Sequence, residues 1–193
     1  MTQLSEQDAI HSLLQARRSP YAFNPDADVS QADLRALFEA ARWAMSSYNA
    51  QPWRYIVGVK SRNPETWQQI YDVLVAGNQP WAANAPVLAL GVVCNNFEHN
   101  NKPNKAAAHD LGAASALLTI EATARGLSVH QMIGIEPQQA RDQFALVSPL
   151  EPFTALAIGY EGAPQQVAAE YAERDAGPRE RKLIDDIILA GGL

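Results

Sequence analysis

Three short polar segments hold the residues best suited to chemistry in this chain. Arg17, Arg18 and Ser19 follow one helical pattern, residues 46–53 follow a second, and Arg179 and Arg181 precede an apolar C-terminal run. The planar fork of an arginine offers a phosphate two charge-assisted hydrogen bonds at once, and a serine hydroxyl or backbone amide can complete the cradle. Taken singly, each arginine is better explained as a solvated surface charge. Spacing alone leaves both interpretations open.

The sequence signatures of other nucleotide-binding and hydrolytic sites are missing. Neither G-x-G-x-x-G nor G-x-x-x-x-G-K-[ST] occurs, which argues against a Rossmann or P-loop mechanism. There is no G-x-S-x-G elbow, and the four histidines lie far apart without metal-ligand spacing. His99 and His109 flank an Asn-rich loop and are best explained as solvated side chains. Cys94, the only cysteine, ends an apolar run and is expected to be an inert core thiol. We therefore expect no metal site.

Composition and charge narrow the class of protein further. The net charge of −6 argues against general nucleic-acid binding, which needs a basic surface. The sequence contains no run of about 18 apolar residues, so no membrane span is predicted. Residues 1–15 lack the basic and apolar pattern of a secretory signal. With 193 residues, the chain is expected to form one domain, residues 1–193, in the cytoplasm.

Hydrophobic periodicity predicts a fold of helices around a few strands. Ser5 and Asp8 resemble a helix start, and Ser30 to Asp33 a second, with that helix ending near Met45. Asn63-Pro64 and Pro137 open two further helices. Residues 106–125 form a helix rich in small residues that should be buried nearly all round, as a central or an interface helix. Strands are predicted over 55–59, 87–94, 128–132 and 153–159, with a strand-like segment after residue 182. Residues 95–105 are too polar to pack and are a candidate lid or rim of a site. The fold class is α+β, with helices on a mostly antiparallel or mixed sheet.

The order of several motifs points to one family. Several segments of the chain resemble motifs of the nitroreductase family and follow one another in the family's order. They are residues 17–23, 40–57, 77–87, 109–114, 124–127, 132–135, 157–160 and 178–182. The resemblance covers about residues 8–190. Each piece is weakly specific, whereas the ordered set is a strong signal.

This resemblance implies a three-layer sandwich, an interleaved homodimer and one FMN at each of two interface sites. It assigns Arg17, Ser19, Arg179 and Arg181 to the ribityl phosphate, and Arg18 less firmly. Ser46, Ser47 and Asn49, contributed by the opposite subunit, would contact the ring system, and Asn78 would bond its pyrimidine edge. Backbone amides of Ile133 and Gly134 would lie near flavin N5 and O4, so no side chain is expected to be catalytic. Tyr21 and Gln51 complete the expected cofactor-binding set, and residues 177–193 are expected to reach across the dimer.

Two departures from the family pattern affect the expected chemistry. A basic residue is common in the family at the position of Tyr21, and a proline at that of Met45. A cation near flavin N1 favours the anionic reduced form, and a tyrosine supplies no such charge. The redox potential and the electron acceptor therefore do not follow from the family pattern. Met45 would reshape the pocket wall.

The resemblance implies that NAD(P)H reduces FMN and that a nitroaromatic, quinone or similar small-molecule acceptor then takes the electrons, in a ping-pong cycle. Related FMN reductases acting on enones, dehydropeptides or halogenated aromatics are the nearest alternative. A non-catalytic FMN-storing or sensing protein and a cofactor-free interaction domain are further alternatives.

Overall fold

A computed structural model describes residues 10–191 of the chain. The helices are α1 (Ser12–Ala16), α2 (Gln31–Arg42), α3 (Pro64–Asp72), α4 (Gln79–Ala82), α5 (Ala107–Ala124), α6 (Pro137–Gln143), α7 (Ala169–Ala176) and α8 (Ile184–Ile187). The strands are β1 (Trp53–Val59), β2 (Val87–Cys94), β3 (Ser128–Met132) and β4 (Leu150–Gly159). Short 3₁₀ turns span Ser47–Asn49 and Pro164–Gln166. No helix in the described range is long and apolar enough to cross a membrane.

The four strands form one antiparallel sheet in the order β1-β2-β4-β3. β2 lies in the middle, with Ile56 opposite Leu90 on one side and Leu156 opposite Ala89 on the other. β1 and β3 are the edge strands among the described residues. The predicted α+β class is confirmed.

Helices cover both faces of the sheet, so that successive strand residues enter two different cores. From β2, Ala89 packs in the core that includes Leu37 of α2 and Leu118 of α5, whereas Leu88 packs in the core that includes Ile70 of α3. Side chains alternate across a strand, and a strand covered on both faces must therefore be apolar throughout. This arrangement explains the unbroken apolar run of β2.

Local sequence signals place most element ends correctly. The Ser30 hydroxyl accepts the Asp33 N–H at 3.0 Å, which is the N-cap expected for α2. Gly126 has φ +73° directly after the last turn of α5, a conformation that glycine adopts without strain. α2 ends at Arg42 rather than near Met45, because the Trp43 N–H closes the last turn on the Ala40 carbonyl.

Three expectations need correction. The segment after residue 182 contains the short helix α8 rather than a strand, and no strand pairs with it within residues 10–191. The helix α5 buries one face only, whereas Gly112 and Ala116 on its other side are exposed in the single chain. The 95–105 loop is not wholly unpacked, since Asn104 is only 5% exposed. Of the predicted first helix, Ser5 and Asp8 lie outside the described residues, and α1 begins at Ser12.

Candidate functional site

Five arginines line one small cavity where the end of α1, the end of α7 and the C-terminal segment meet. Its volume is about 260 Å³. We call it the arginine cavity, and it is lined by Arg17, Arg18, Ser19, Tyr21, Arg174, Asp175, Gly177, Pro178, Arg179 and Arg181. The two arginine segments that the sequence analysis singled out are therefore adjacent in the fold.

Arg17 and Arg179 are held in place by groups at the end of α1. The Arg17 Nη1 donates to Ser19 Oγ at 3.0 Å. Arg179 donates to the carbonyls of Gln15 and Arg17 at 2.7 and 2.9 Å, and so satisfies carbonyls that the end of a helix leaves unpaired. Burial, and then the charges of Arg179 and Arg181, lower the pKa of Arg17. Like charges kept this close favour an anion between them.

Arg18 lines the same cavity, but its charge is already partnered. Its Nη1 lies 3.1 Å from the Glu161 carboxylate, and its Nη2 donates to the Asp175 carbonyl at 2.5 Å. A surface ion pair of this kind leaves less of the charge available to a ligand. The weaker assignment of Arg18 to a phosphate agrees with this geometry.

Asp175, at the end of α7, fixes the backbone of the segment that carries these arginines. Both of its carboxylate oxygens accept the Tyr21 N–H at 3.0 Å, and one also accepts the Ala22 N–H at 2.9 Å. Asp175 could not be predicted from the sequence, because nothing in its local pattern shows that it bonds residues more than 150 positions away. It positions the cavity wall without contributing positive charge.

The Tyr21 ring belongs to a cluster of aromatic side chains behind the cavity. Its centroid lies 5.3 Å from that of Trp81, 4.8 Å from His130 and 5.1 Å from Tyr171. His130 Nδ1 lies 3.0 Å from the Pro20 carbonyl oxygen, and burial lowers the pKa of this histidine. Tyr21 therefore both packs against the core and faces the arginines.

A second group of predicted residues lies beside this cluster. The Asn78 Nδ2 donates to the Gly134 carbonyl at 3.0 Å, and the Tyr171 hydroxyl donates to the Gly77 carbonyl at 3.3 Å. A Cβ at Gly134 would lie 2.5 Å from Asn78 Nδ2, so a larger residue here would displace the Asn78 amide. Ile133 is 67% exposed, and within residues 10–191 neither its N–H nor that of Gly134 bonds a protein acceptor. Two amide donors are thus available to a ligand at this edge.

The third group, residues 46–51, forms a strained loop at the start of β1. Tyr48, Asn49 and Gln51 all have φ between 46° and 53°, the left-handed region that non-glycine residues rarely occupy. The Ser46 hydroxyl accepts the Gln51 N–H at 3.0 Å. Such strain persists only where surrounding contacts impose it, and it concentrates at binding sites.

Asp110 supplies one of those contacts from the first turn of α5. Its side chain is buried, one oxygen accepts the Ser47 N–H at 3.0 Å, and the other lies 3.0 Å from His109 Nδ1. The sequence signal was available, since Asp110 is the only acidic residue on the buried face of α5.

In a single chain, the 46–51 loop lies apart from the other two groups. The loop contacts α5 and the 95–103 hairpin. Arg54 forms a 2.7 Å ion pair with Glu98 of that hairpin. No hydrogen bond or ion pair within the described range joins this loop to the arginine cavity. Met45, next to the loop, is 70% exposed.

Metal binding has no geometric support in the part of the chain that the structure describes. No group of three or more His, Cys, Asp or Glu side chains there is arranged to hold an ion. His99 and His109 are both exposed.

Comparison with known proteins decides the family. The model of the nitroreductase family matches residues 14–160, more than half of the chain. The chain belongs to the nitroreductase family. The family resemblance inferred from the ordered motifs is thus confirmed.

Individual relatives agree with this assignment. The chain is 28% identical to the major NAD(P)H-flavin oxidoreductase of Aliivibrio fischeri, over 93% of its own length and 96% of the relative's. It is 33% identical to an uncharacterized 15.4 kDa protein of Mycolicibacterium smegmatis, over 72% of this chain and 95% of that one. A solved structure of an oxidoreductase containing FMN superimposes with a TM-score of 0.89 at 28% identity, covering 100% of this chain and 98% of the other. This likeness confirms the expected sandwich fold.

Proposed function

We propose that the chain is an FMN-dependent NAD(P)H oxidoreductase whose arginine cavity binds the flavin phosphate. The observation that carries this proposal is the convergence of Arg17, Arg179 and Arg181 on one cavity of about 260 Å³. A phosphate monoester carries between one and two negative charges at neutral pH, with several oxygens that accept hydrogen bonds. The donors present fit that group in number and in charge.

The remaining predicted contacts fit the rest of the cofactor. Asn78 and the amides of Ile133 and Gly134 would hold the pyrimidine edge and the N5 side of the ring. When bound, FMN supplies the two-electron redox chemistry. The amide donors would polarise the ring and orient it, and the aromatic cluster of Tyr21 would keep water from its edge. Donor and acceptor would occupy the exposed face in turn, in a ping-pong order, with nitroaromatics, quinones or similar electron-poor molecules as acceptors.

A homodimer would complete the site. The exposed face of α5 carries Gly112 and Ala116, which allow another helix to approach closely. Leu183, Ile184 and Ile187 in the C-terminal segment are each more than half exposed in the single chain. An open groove of about 680 Å³ beside the edge strand β1 offers Leu34, Phe38 and Val57 to such a segment. Residues 177–179 and Arg181 line the arginine cavity of their own chain, so the expected crossing begins after residue 181 and not at residue 177. We assign the groove to the apolar residues that follow in a second copy, which would make the chain one domain with an exchanged tail.

Within that dimer, the strained loop would serve the opposite site. Ser46, Ser47, Asn49 and Gln51 would contact the flavin ring bound by the arginine cavity of the partner subunit. This accounts for their separation from the cavity within one chain. The strain at Tyr48, Asn49 and Gln51 would then hold the loop ready for a ligand.

The cofactor assignment is tested by the absorbance of the purified protein before and after anaerobic addition of NADH or NADPH. An oxidoreductase gives a flavin spectrum that bleaches rapidly. A flavin-storing protein gives the spectrum without bleaching. Colourless protein without affinity for added FMN would contradict the proposal.

The phosphate assignment is tested by Arg17→Ala and Arg179→Ala. Each should weaken FMN binding by about 2–3 kcal/mol, the scale of a lost charge-assisted contact, and leave riboflavin binding nearly unchanged. Wild-type FMN affinity in both variants would show that the phosphate binds elsewhere.

The dimer is tested by Gly112→Arg. Among residues 10–191, apart from its own helix backbone and chain neighbours, nothing lies within 4 Å of a Cβ at Gly112, so a single subunit tolerates the side chain. In a dimer packed through α5, the same side chain should block association and abolish FMN binding. Gln68→Arg on α3, also exposed, is the matched control and should remain dimeric. Sedimentation that finds Gly112→Arg dimeric with bound FMN would refute this interface.

A further inference from the structure

Arg174 is a cation of the arginine cavity that no sequence motif indicated. It lies in the last turn of α7, and its side chain lines the cavity together with Arg17, Arg179 and Arg181. No carboxylate in the described part of the chain lies within ion-pair distance of it. Its charge is therefore available to a ligand, in contrast to that of Arg18.

Two tyrosine rings hold the Arg174 side chain. Its guanidinium carbon lies 5.7 Å from the ring centroid of Tyr21 and 5.7 Å from that of Tyr171. A cation over the face of an aromatic ring at this distance is attracted by the ring. The Tyr21 side chain, and to a smaller extent the charge of Glu170, raise the pKa of Arg174, so the guanidinium stays charged.

The rings are themselves fixed. Tyr171 is 8% exposed and its hydroxyl donates to the Gly77 carbonyl, while the Tyr21 backbone is tied to Asp175 and its ring packs on Trp81. A guanidinium lying on such a platform has fewer conformations to lose when an anion binds. Preorganisation of this kind increases affinity without adding a contact.

We infer that Arg174 binds the phosphate of the flavin nucleotide, as a further ligand beside Arg17, Arg179 and Arg181, and that Tyr21 is its positioning residue. This inference rests on the proposed function. The ring at position 21 thus supports a phosphate-binding cation that comes from α7.

The test compares the affinity of apoprotein for FMN and for riboflavin, followed by quenching of flavin fluorescence. Arg174→Gln should weaken FMN binding about ten- to a hundredfold, the fold-change of one lost hydrogen bond to a charged group, and leave riboflavin binding unchanged. Lys60→Gln is the matched control, because Lys60 also lies over an aromatic ring, 4.6 Å from the centroid of Trp67, but outside the cavity. It should bind FMN as the wild type does.

The positioning role of Tyr21 is tested in the same titration. Tyr21→Leu should weaken FMN binding severalfold, and Tyr21→Phe, which keeps the ring, should restore most of that loss. In the double variant Arg174→Gln/Tyr21→Leu, the ratio of FMN affinity to riboflavin affinity should be no lower than in Arg174→Gln alone, because Tyr21 acts on the phosphate through Arg174.

Each contrary result has a distinct meaning. Wild-type FMN affinity in Arg174→Gln overturns the inference and leaves the proposed function intact. An equal loss for riboflavin overturns the phosphate assignment of Arg174, and an equal loss in Lys60→Gln reduces the effect to net charge. A wild-type protein that binds no FMN overturns the proposed function, and the inference with it.

Discussion

Replacing Asp175 by alanine should destabilise the wall of the arginine cavity by an amount that the structure allows us to work out. Two backbone donors, the N–H groups of Tyr21 and Ala22, would lose a charged acceptor at 2.9–3.0 Å. A hydrogen bond to a charged group contributes about 1.5–3 kcal/mol. Two such bonds at the lower end give about 3 kcal/mol for Asp175→Ala. Asp175→Asn keeps one neutral acceptor, which contributes about half as much as one charged bond, and should therefore cost about 2 kcal/mol.

The assay is urea unfolding of the apoprotein at one fixed protein concentration, because association contributes to the stability of any dimer. Glu173→Ala is the matched control. Its carboxylate is exposed on the same helix, so the free energy of unfolding should change by less than about 0.5 kcal/mol. If Asp175→Ala unfolds at the same urea concentration as Glu173→Ala, the carboxylate does not hold this segment and the reasoning fails.

Three further outcomes are expected. Gly134→Ala places a Cβ 2.5 Å from Asn78 Nδ2 and 2.9 Å from Val75 Cγ2. The Asn78 amide should therefore move, and FMN binding should weaken. A crystal structure of the variant with the hydrogen bond from Asn78 to the Gly134 carbonyl unchanged would contradict this expectation. Burial lowers the pKa of His130, so the unfolded chain takes up the proton first as the pH falls. The free energy of unfolding should be constant at pH values above the ordinary histidine pKa and should decrease as the pH falls from there to the folded pKa. Denaturant titrations at several pH values should show a smaller decrease for His130→Gln. Burial raises the pKa of Tyr55 to about 12, and ultraviolet titration should show one late-ionising tyrosine that Tyr55→Phe removes.

Elements with strong local periodicity could be predicted from the sequence. The strand at residues 128–132 has the predicted bounds, and α2 begins at the predicted cap. The apolar run of β2 gave its position but not its neighbours, because a run buried on both faces does not show which strands flank it. The order β1-β2-β4-β3 depends on contacts between distant segments, which periodicity does not encode.

The candidate site was predicted unevenly for a related reason. Ordered motifs identified Arg17 and Arg179, and the structure brings them into one cavity. Arg174 and Asp175 could not be predicted, because α7 is a short, mostly polar helix. Their roles depend on contacts with Tyr21 and Ala22, which are distant in the sequence. The exposed face of α5 reads as buried in the sequence, since composition does not distinguish burial within a chain from burial between chains.

The run of left-handed residues at Tyr48, Asn49 and Gln51 limits how this loop can change in evolution or by design. Each such conformation costs a residue other than glycine about 1 kcal/mol or more, and the cost is smaller for asparagine, as at position 49. Glycine adopts the conformation without strain. Gln51→Gly would therefore be expected to make the protein more heat-resistant while loosening the loop. Directed evolution selecting for thermal tolerance alone would favour such glycines, whereas selection for turnover would remove them.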